Sequence, residues 1–444
     1  MLLAMVDLPA KDKPTRPPRT PRRGFTRLSR LQTIGVAYLL LGVTLVVQVA
    51  GALDPAQVVF LFGLGDGVPQ VGVQPAAFTL GTGLLFVLAG VVALGERWTG
   101  RYAGVALLVA TVLFVPLVLV TSLALSAAGT MNVVPLMGES LRVGTPVALG
   151  ALAGLYAERS GVVNIGIEGM MLAGAGVGFV VYAVLGAAGG WPLYVSVVVA
   201  VAVGGLMAAL HALLSVTFRT DQIVSGVAIN LLAIGLTSFL RREVLLPLGI
   251  GGGSTLPTIE IPLLADLPLV GRSLFVGKPI YFTMFLIFAL TQVVLFRSAW
   301  GLRVRSVGEN PHAAETLGID VVKTRYQAVI VGGLLAGLAG AWFTLETVGT
   351  FDNLITNGKG FIALAALIFG KWRPWSAFGG AVLFGFAEAL GRRIQLLDVS
   401  VGGFPVPSQF LQVLPFVVTI VVLAGAIGRA IPPASVGVPF ERSR

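Results

Sequence analysis

Twelve apolar segments follow one another along this 444-residue chain, at about 31–51, 76–95, 102–122, 141–157, 168–188, 193–215, 224–246, 279–297, 326–346, 359–370, 375–391 and 410–428. A helix needs about 20 mostly apolar residues to cross hydrocarbon, and in lipid the backbone must satisfy its own hydrogen bonds. The pattern therefore predicts an all-α polytopic membrane protein of about twelve transmembrane segments. The tenth segment is short for a span and reads as a half-helix or re-entrant piece, which survives only where protein surrounds it. Composition agrees: 56% of the residues are hydrophobic and 11% charged, against about 25% charged in soluble domains. The 58 glycines suit closely packed helices.

Charge sets an expected topology. Residues 11–30, "KDKPTRPPRTPRRGFTRLSR", hold eight Lys/Arg and one Asp. Such a stretch cannot build a core, so 1–30 reads as a disordered basic tail. It fits a positive-inside signal that touches anionic membrane lipid better than a nucleic-acid site. With that tail in the cytoplasm, 22 of the 30 Lys/Arg fall on the same side of the membrane. This bias predicts that both termini, including a tail at 431–444, are cytoplasmic, which requires an even number of spans. No cleavable signal peptide is expected, because no small-residue cleavage site follows the first span. The longest outer loop is 247–278, rich in Gly and Pro, and the main inner loop is 298–325.

Several chemistries are absent from the sequence. There is no cysteine, and two histidines are too few for a histidine metal centre. No GxxxxGK[ST] phosphate loop, H-E-x-x-H or G-x-S-x-G occurs, and no catalytic set is recognisable. The chain is expected to be no enzyme, and to bind no metal or cofactor itself. An ion-coupled secondary transporter would carry carboxylate or histidine relays in several spans, and few are present here. A passive membrane scaffold is a further reading.

A few polar residues stand out in the spans. Glu168 opens the fifth segment beside Asn164; it either lines a pathway or caps or pairs with a neighbouring helix end, for example with Arg159. Asn230, inside the seventh segment, can bond another helix or a solute. His211 reads as a hydrogen-bonded packing residue. Glu388 sits four residues before Arg392, a favourable helical pair. Glu346 and Asp352 read as solvated loop carboxylates. "NIGIEGMMLAGA" (164–175) and "NGKGFIALAALIFG" (357–370) both set Asn and Gly before a small-residue helix; an internal duplication or a common helix start explains this equally simply.

The polar stretch "VGENPHAAETLGID" (307–320) lies between two long apolar runs. After Glu309, Asn310 is suited to cap a helix N-terminus, and Pro311 to its first position. His312, Ala313, Ala314, Glu315 and Leu317 carry the helix, and Gly318 suits the positive-φ position that ends it. Two turns are marginal alone, so this helix needs a dock, either its own spans or another protein.

Four stretches in order carry a family resemblance: "ERSGVVNIGIEGMMLAGA" (158–175), "DQIVSGVAINLLAIGLTSF" (221–239), "VGENPHAAETLGI" (307–319) and "GFIALAALIFGKWRPW" (360–375). Over roughly 137–430 the chain resembles the inner-membrane permeases of ATP-binding-cassette importers, in the group serving ribose-type sugars, branched-chain amino acids and nucleosides. The first two stretches most resemble the nucleoside or simple-sugar branch. The resemblance implies a permease core at 131–430 in a prokaryotic plasma membrane. It implies that Glu309 to Gly318 couple to a separate ATPase subunit that uses the ATP. It also implies a second permease, expected to be a different chain, and an extracellular substrate-binding protein that meets the 247–278 loop. By the same analogy Asn164, Glu168 and Asn230 approach the solute path, and Phe343 and Phe361 offer stacking surfaces for nucleosides. Ribose, another simple sugar or a branched-chain amino acid is the alternative cargo. Residues 31–130, with three extra spans, lie outside the resemblance; a peripheral sheath and a contact to the second permease are both open to them.

Overall fold

The computed structural model describes residues 28–441 apart from 50–52, 54–55, 63–67, 127–128, 251, 269, 398–399 and most of 402–429. In chain order its helices are α1 (Arg30–Thr44), α2 (Pro75–Leu94), one-turn α3 (Glu96–Thr99), α4 (Arg101–Ala124), α5 (Val133–Arg159), α6 (Ile167–Val184), α7 (Trp191–Ala212) and α8 (Gln222–Leu240). One-turn α9 (Leu246–Leu248) and α10 (Gly271–Leu274) precede α11 (Pro279–Arg297), α12 (Ala299–Glu309), α13 (Pro311–Thr316), α14 (Val321–Ala341), α15 (Lys359–Phe369) and α16 (Pro374–Gln395). A π-helical stretch, Trp342–Val348, prolongs α14. Three short strands, β1 (Val58–Leu61), β2 (Gln70–Val73) and β3 (Thr130–Asn132), form a small sheet in the order β2-β1-β3.

The protein is an all-helical polytopic membrane protein. Among the described residues eight helices are long and apolar enough to cross a bilayer. Two more expected segments lie on α5 and α16, which are long but more polar. The tenth is α15, whose 11 residues keep it short, as its sequence predicts. The twelfth, 410–428, lies almost wholly outside the described residues. The inner loop 298–325 departs from expectation. It holds the 11-residue helix α12 as well as the capped short helix α13. Gly301, Val304, Val307 and Gly308 form the buried side of α12, a helical spacing concealed by the arginines between them.

The centre of the bundle is α5, α6 and α14. In α6 and in Val321–Val348, 78% of the most apolar stretch is buried. The lipid-exposed helices owe their apolarity to the bilayer; these owe theirs to neighbouring helices. The packing also has a duplicated form. α5 lies against α15 and α16, α14 lies against α6 and α7, and α5 and α14 lie against each other. Exchanging α5-α6-α7 for α14-α15-α16 reproduces the same neighbour relations, which gives the 164–175 and 357–370 similarity a structural counterpart. Close approach makes this packing possible. A Cβ on Gly204 of α7 would stand 2.6 Å from the Gly337 Cα of α14. Between helices in lipid such van der Waals contact is a main source of association.

The three N-terminal spans form their own cluster around Tyr38, Phe86, Leu107 and Phe114, and rest on Ala387, Leu390 and Ile394 of α16. The Tyr38 and Thr111 hydroxyls join α1 to α4 at 2.8 Å. At the far end of α14, the 247–278 loop is stitched down by the Gly253 and Leu256 amides, which donate to the Gly349 and Leu345 carbonyls.

Candidate functional site

Two non-helical segments, 160–166 and 349–358, interrupt the bundle where α6 and α15 begin. Backbone of this kind is tolerated in a membrane bundle only where protein satisfies it. In the first segment the Ser160, Gly161 and Val162 amides return to the end of α5, and side chains serve the residues that follow. The Val163 amide donates to Gln222 Oε1 at 2.7 Å, and the Val163 carbonyl lies 3.0 Å from His211 Nε2. The Ile165 carbonyl accepts from Asn230 Nδ2 at 3.2 Å, while Asn230 Oδ1 accepts the Gly169 amide at 2.7 Å. Asn230 thus holds α8 to the start of α6 with both ends of its amide. His211 is the hydrogen-bonded packing residue its sequence suggests. Its other ring nitrogen meets Ser225 Oγ at 2.9 Å.

Glu168 serves the second segment. Its carboxylate accepts from Thr356 Oγ1 at 2.6 Å, the Gly358 amide at 2.8 Å and the Gly360 amide at 2.6 Å. The residues that begin α15 have no side-chain cap of their own, so a carboxylate from another helix takes that role. Since Glu168 lies in the first turn of α6, the N-termini of α6 and α15 meet at one charge. The helix-end reading of Glu168 holds, but the partner is not Arg159. Arg159 donates to the Trp372 carbonyl through Nε at 3.0 Å and Nη2 at 2.6 Å.

Asn164, Glu168 and Asn230 are therefore gathered at the start of α6. Asn164 is fully buried; its Nδ2 reaches Met170 Sδ at 3.6 Å and its Oδ1 has no hydrogen-bond partner. Phe361, in the first turn of α15, is 49% exposed. Phe343 is buried in the main core with its ring edge-on to Trp342 at 5.1 Å.

The sequence reading of Glu346 is corrected. It is buried rather than solvated, and caps α11 by accepting the Ile280 and Tyr281 amides at 2.6 and 3.1 Å. Lys278 Nζ donates to the Glu346 carbonyl at 2.5 Å. Burial pushes the Lys278 ammonium below its ordinary range, against the pull of the Glu346 charge. Both residues line a cavity of about 360 Å³ with Glu139, Arg142, Tyr281 and Trp342. Asp352 remains at the surface, 3.1 Å from Arg241. Glu388 pairs with Arg392 at 2.8 Å as expected, and with Lys359 of α15 in addition. Gln222 and Arg325 were not singled out by sequence. A glutamine after a helix cap and an arginine in a basic loop carry no local mark of their distant partners.

The opposite feature of interest is α13. Asn310 Oδ1 accepts the Ala313 amide at 3.1 Å, Pro311 takes the first position, and Gly318 has φ +80°. The Gly318 and Ile319 amides return to the Glu315 and Ala314 carbonyls, closing the helix. Pro311 and Ala314 are buried. Ala314 packs with Val307, Val321 and Phe440. His312, Ala313, Thr316 and Leu317 face outward, and Leu317 is 81% exposed.

Comparison with known proteins accounts for this arrangement. Residues 136–430 match the family described as branched-chain amino acid transport system, permease component. The chain is 42% identical over 310 residues to the guanosine ABC transporter permease protein NupQ of Bacillus subtilis, covering 67% of this chain and 94% of that one. It is 37% identical over 322 residues to the nucleoside ABC transporter permease protein NupC of Lactococcus lactis, covering 71% of this chain and all of that one. A putative glucose ABC transporter permease of Haloferax volcanii is 36% identical over 311 residues, covering 66% of this chain and 92% of that one. With a family match over most of its length and its helical core intact, the chain belongs to the permease components of the branched-chain amino acid transport system family.

Proposed function

We propose that this chain is the permease subunit of an ATP-driven importer of nucleosides. The carrying observation is its 42% and 37% identity to guanosine and nucleoside permeases over nearly their whole length. The end of the bundle that carries α13 faces the cytoplasm, and both termini lie there. The outward face of α13, with His312, Ala313 and Leu317, docks in a separate ATPase subunit that consumes the ATP. A second, different permease chain completes the pore, and an extracellular binding protein delivers solute to the 247–278 end. The hydrogen-bonded carboxylates within the bundle support transport driven from outside the chain rather than by an ion relay. Glu168 and Glu346 are committed to helix ends, and Glu158 accepts the Trp372 indole N–H at 2.5 Å.

In this reading the broken starts of α6 and α15 border the path. Phe361 presents its ring there, Asn164 and Phe343 shape the wall, and Glu168 and Asn230 position the two helices. The test is reconstitution with the ATPase, second permease and binding protein that this reading requires. ATP-dependent uptake of labelled guanosine and uridine is expected, with excess ribose failing to compete. The similarity to a putative glucose permease favours one second reading, a simple sugar as cargo. Glucose uptake without nucleoside uptake would establish it in place of the first.

A further inference from the structure

We propose that the C-terminal segment 430–441 is a positioning strap that holds α12 and α13 to the 160–164 turn as one body. The inference rests on the reading of α13 as the ATPase-docking helix and adds the element that carries its displacement into the bundle.

The strap runs past α12 and α13 to the 160–164 turn. The Ala434 amide donates to Glu309 Oε2 at 3.2 Å, and the Ser435 amide to the Gly308 carbonyl at 2.9 Å. Ser435 Oγ donates to the Glu309 carbonyl at 3.2 Å. Two residues on, the Gly437 amide donates to the Gly161 carbonyl at 3.2 Å. Arg325 locks the crossing from beneath. Its Nε donates to the Ser160 carbonyl at 3.2 Å and its Nη1 to the Val438 carbonyl at 3.1 Å. Arg325 is only 1% exposed. Among the described residues its guanidinium is held by these two carbonyls, with Nη2 left unpaired, so it needs both the turn and the strap in place. Finally Phe440 covers Val307, Ala314 and Val321, and its ring centre lies 5.4 Å from that of His312.

A six-residue helix holds no fixed orientation by itself. Here Phe440 of the strap adds to its cover, and the strap's hydrogen bonds reinforce the direct approach of Gly308 to the Arg159 carbonyl. The 160–164 turn leads through Asn164 to the start of α6 and to Glu168. Force on α13 therefore passes through the strap's hydrogen bonds to the 160–164 turn, and along the chain from there to the place where α6 and α15 meet.

The first test uses the permease alone in lipid nanodiscs. Hydrogen exchange is compared between the full chain, a chain ending at residue 430, and the milder variants Ser435→Pro and Phe440→Ala. Exchange across 311–319 is expected to rise about tenfold, with α6 and the part of α14 beyond its first two turns unchanged. Unchanged exchange at 311–319 in all three would overturn the proposal. If the shortened chain fails to insert, the two point variants decide it.

The second test uses the assembled transporter. Ser435→Pro is expected to retain the ATPase subunit and its hydrolysis while uptake per ATP falls severalfold. Loss of the ATPase subunit with unchanged exchange at 311–319 would make the tail a docking surface instead, overturning the proposal. The cysteine-free chain allows a third arm, Arg219→Cys with Glu441→Cys joined by a bifunctional thiol crosslinker, where the native side-chain ends pair at 3.2 Å. Crosslinking this pair is expected to leave uptake intact. Abolished uptake would mean that the strap must release, which contradicts a permanent brace. The exchange arm needs no cargo or ATPase, so its outcome is separable from the nucleoside assignment.

Discussion

The Glu168 carboxylate in the first turn of α6 accepts the Gly360 amide from the first turn of α15 at 2.6 Å. The contact is intimate: a Cβ on Gly360 would lie 2.5 Å from the Glu168 amide nitrogen. One charge thereby faces two helix N-termini, where the macrodipole favours a carboxylate. Glu168→Ala would strip acceptors from Thr356, Gly358 and Gly360, of which Thr356 and Gly360 are buried. Leaving buried donors unpaired costs about 1–3 kcal/mol. The expected outcome is a clear drop in thermal stability of the purified permease, with Glu168→Gln falling between alanine and wild type. Full stability of Glu168→Ala would show that α15 does not depend on this cap.

Asn230 tests the other side of the same junction. Interhelical polar contacts in membrane proteins average only about 0.6 kcal/mol, because a displaced side chain finds other partners. Asn230 differs because it bridges the Gly169 amide, in the first turn of α6, and the carbonyl of non-helical Ile165. The break before α6 leaves both groups to the side chain, so the cost is expected nearer the roughly 1–3 kcal/mol of an unmade buried bond. Asn230→Leu should lower stability accordingly and raise hydrogen exchange at Gly169. An effect below a few tenths of a kcal/mol would place Asn230 among ordinary interhelical contacts.

The two alanines of α13 should behave differently. Sequence alone offers Ala313 and Ala314 as equivalent probes of docking, with aspartate at either one expected to uncouple hydrolysis from uptake. The structure separates them, because Ala314 is 2% exposed beneath Phe440 and Ala313 faces solvent. Ala314→Asp would bury an unpaired carboxylate and is expected to cut the yield of folded protein. Ala313→Asp and Leu317→Asp should fold normally yet lose uptake and retain the ATPase poorly on purification. Normal uptake by both surface variants at normal expression would remove α13 from the docking surface.

What could be read in advance follows the range of the interactions. Asn310, Pro311 and Gly318 act on their own backbone, so the ends of α13 are legible. Glu388 and Arg392 are one helical turn apart, and α15 is short because its apolar run is short. Glu168 and Gly360 are 192 positions apart, and no local pattern announces their contact. The same holds for Arg325 with Ser160 and Val438. Glu346 was misjudged for a related reason. Polar residues at the end of a span usually meet water, but here the start of α11 covers it. In the candidate site, residue types pointed to the right junction, while long-range packing assigned most of them to helix ends.

Glycines offer a prediction whose sign changes from helix to helix. Gly337 of α14 faces α7 so closely that a Cβ there would lie 2.9 Å from the Val201 Cα and collide with the Ala200 carbonyl. Both obstacles are backbone, which cannot rotate aside, so Gly337→Ala must part α7 from α14. Overpacking of this kind costs about 1–3 kcal/mol. Gly235 of α8 has nothing within 4 Å of its would-be Cβ. There alanine should gain stability by up to about 1 kcal/mol through helix propensity. Thermal unfolding of the two variants in one detergent measures both signs. A stabilised Gly337→Ala would mean that α7 and α14 lie farther apart than their backbones show here, and the duplicated packing around α14 would lose one of its close contacts.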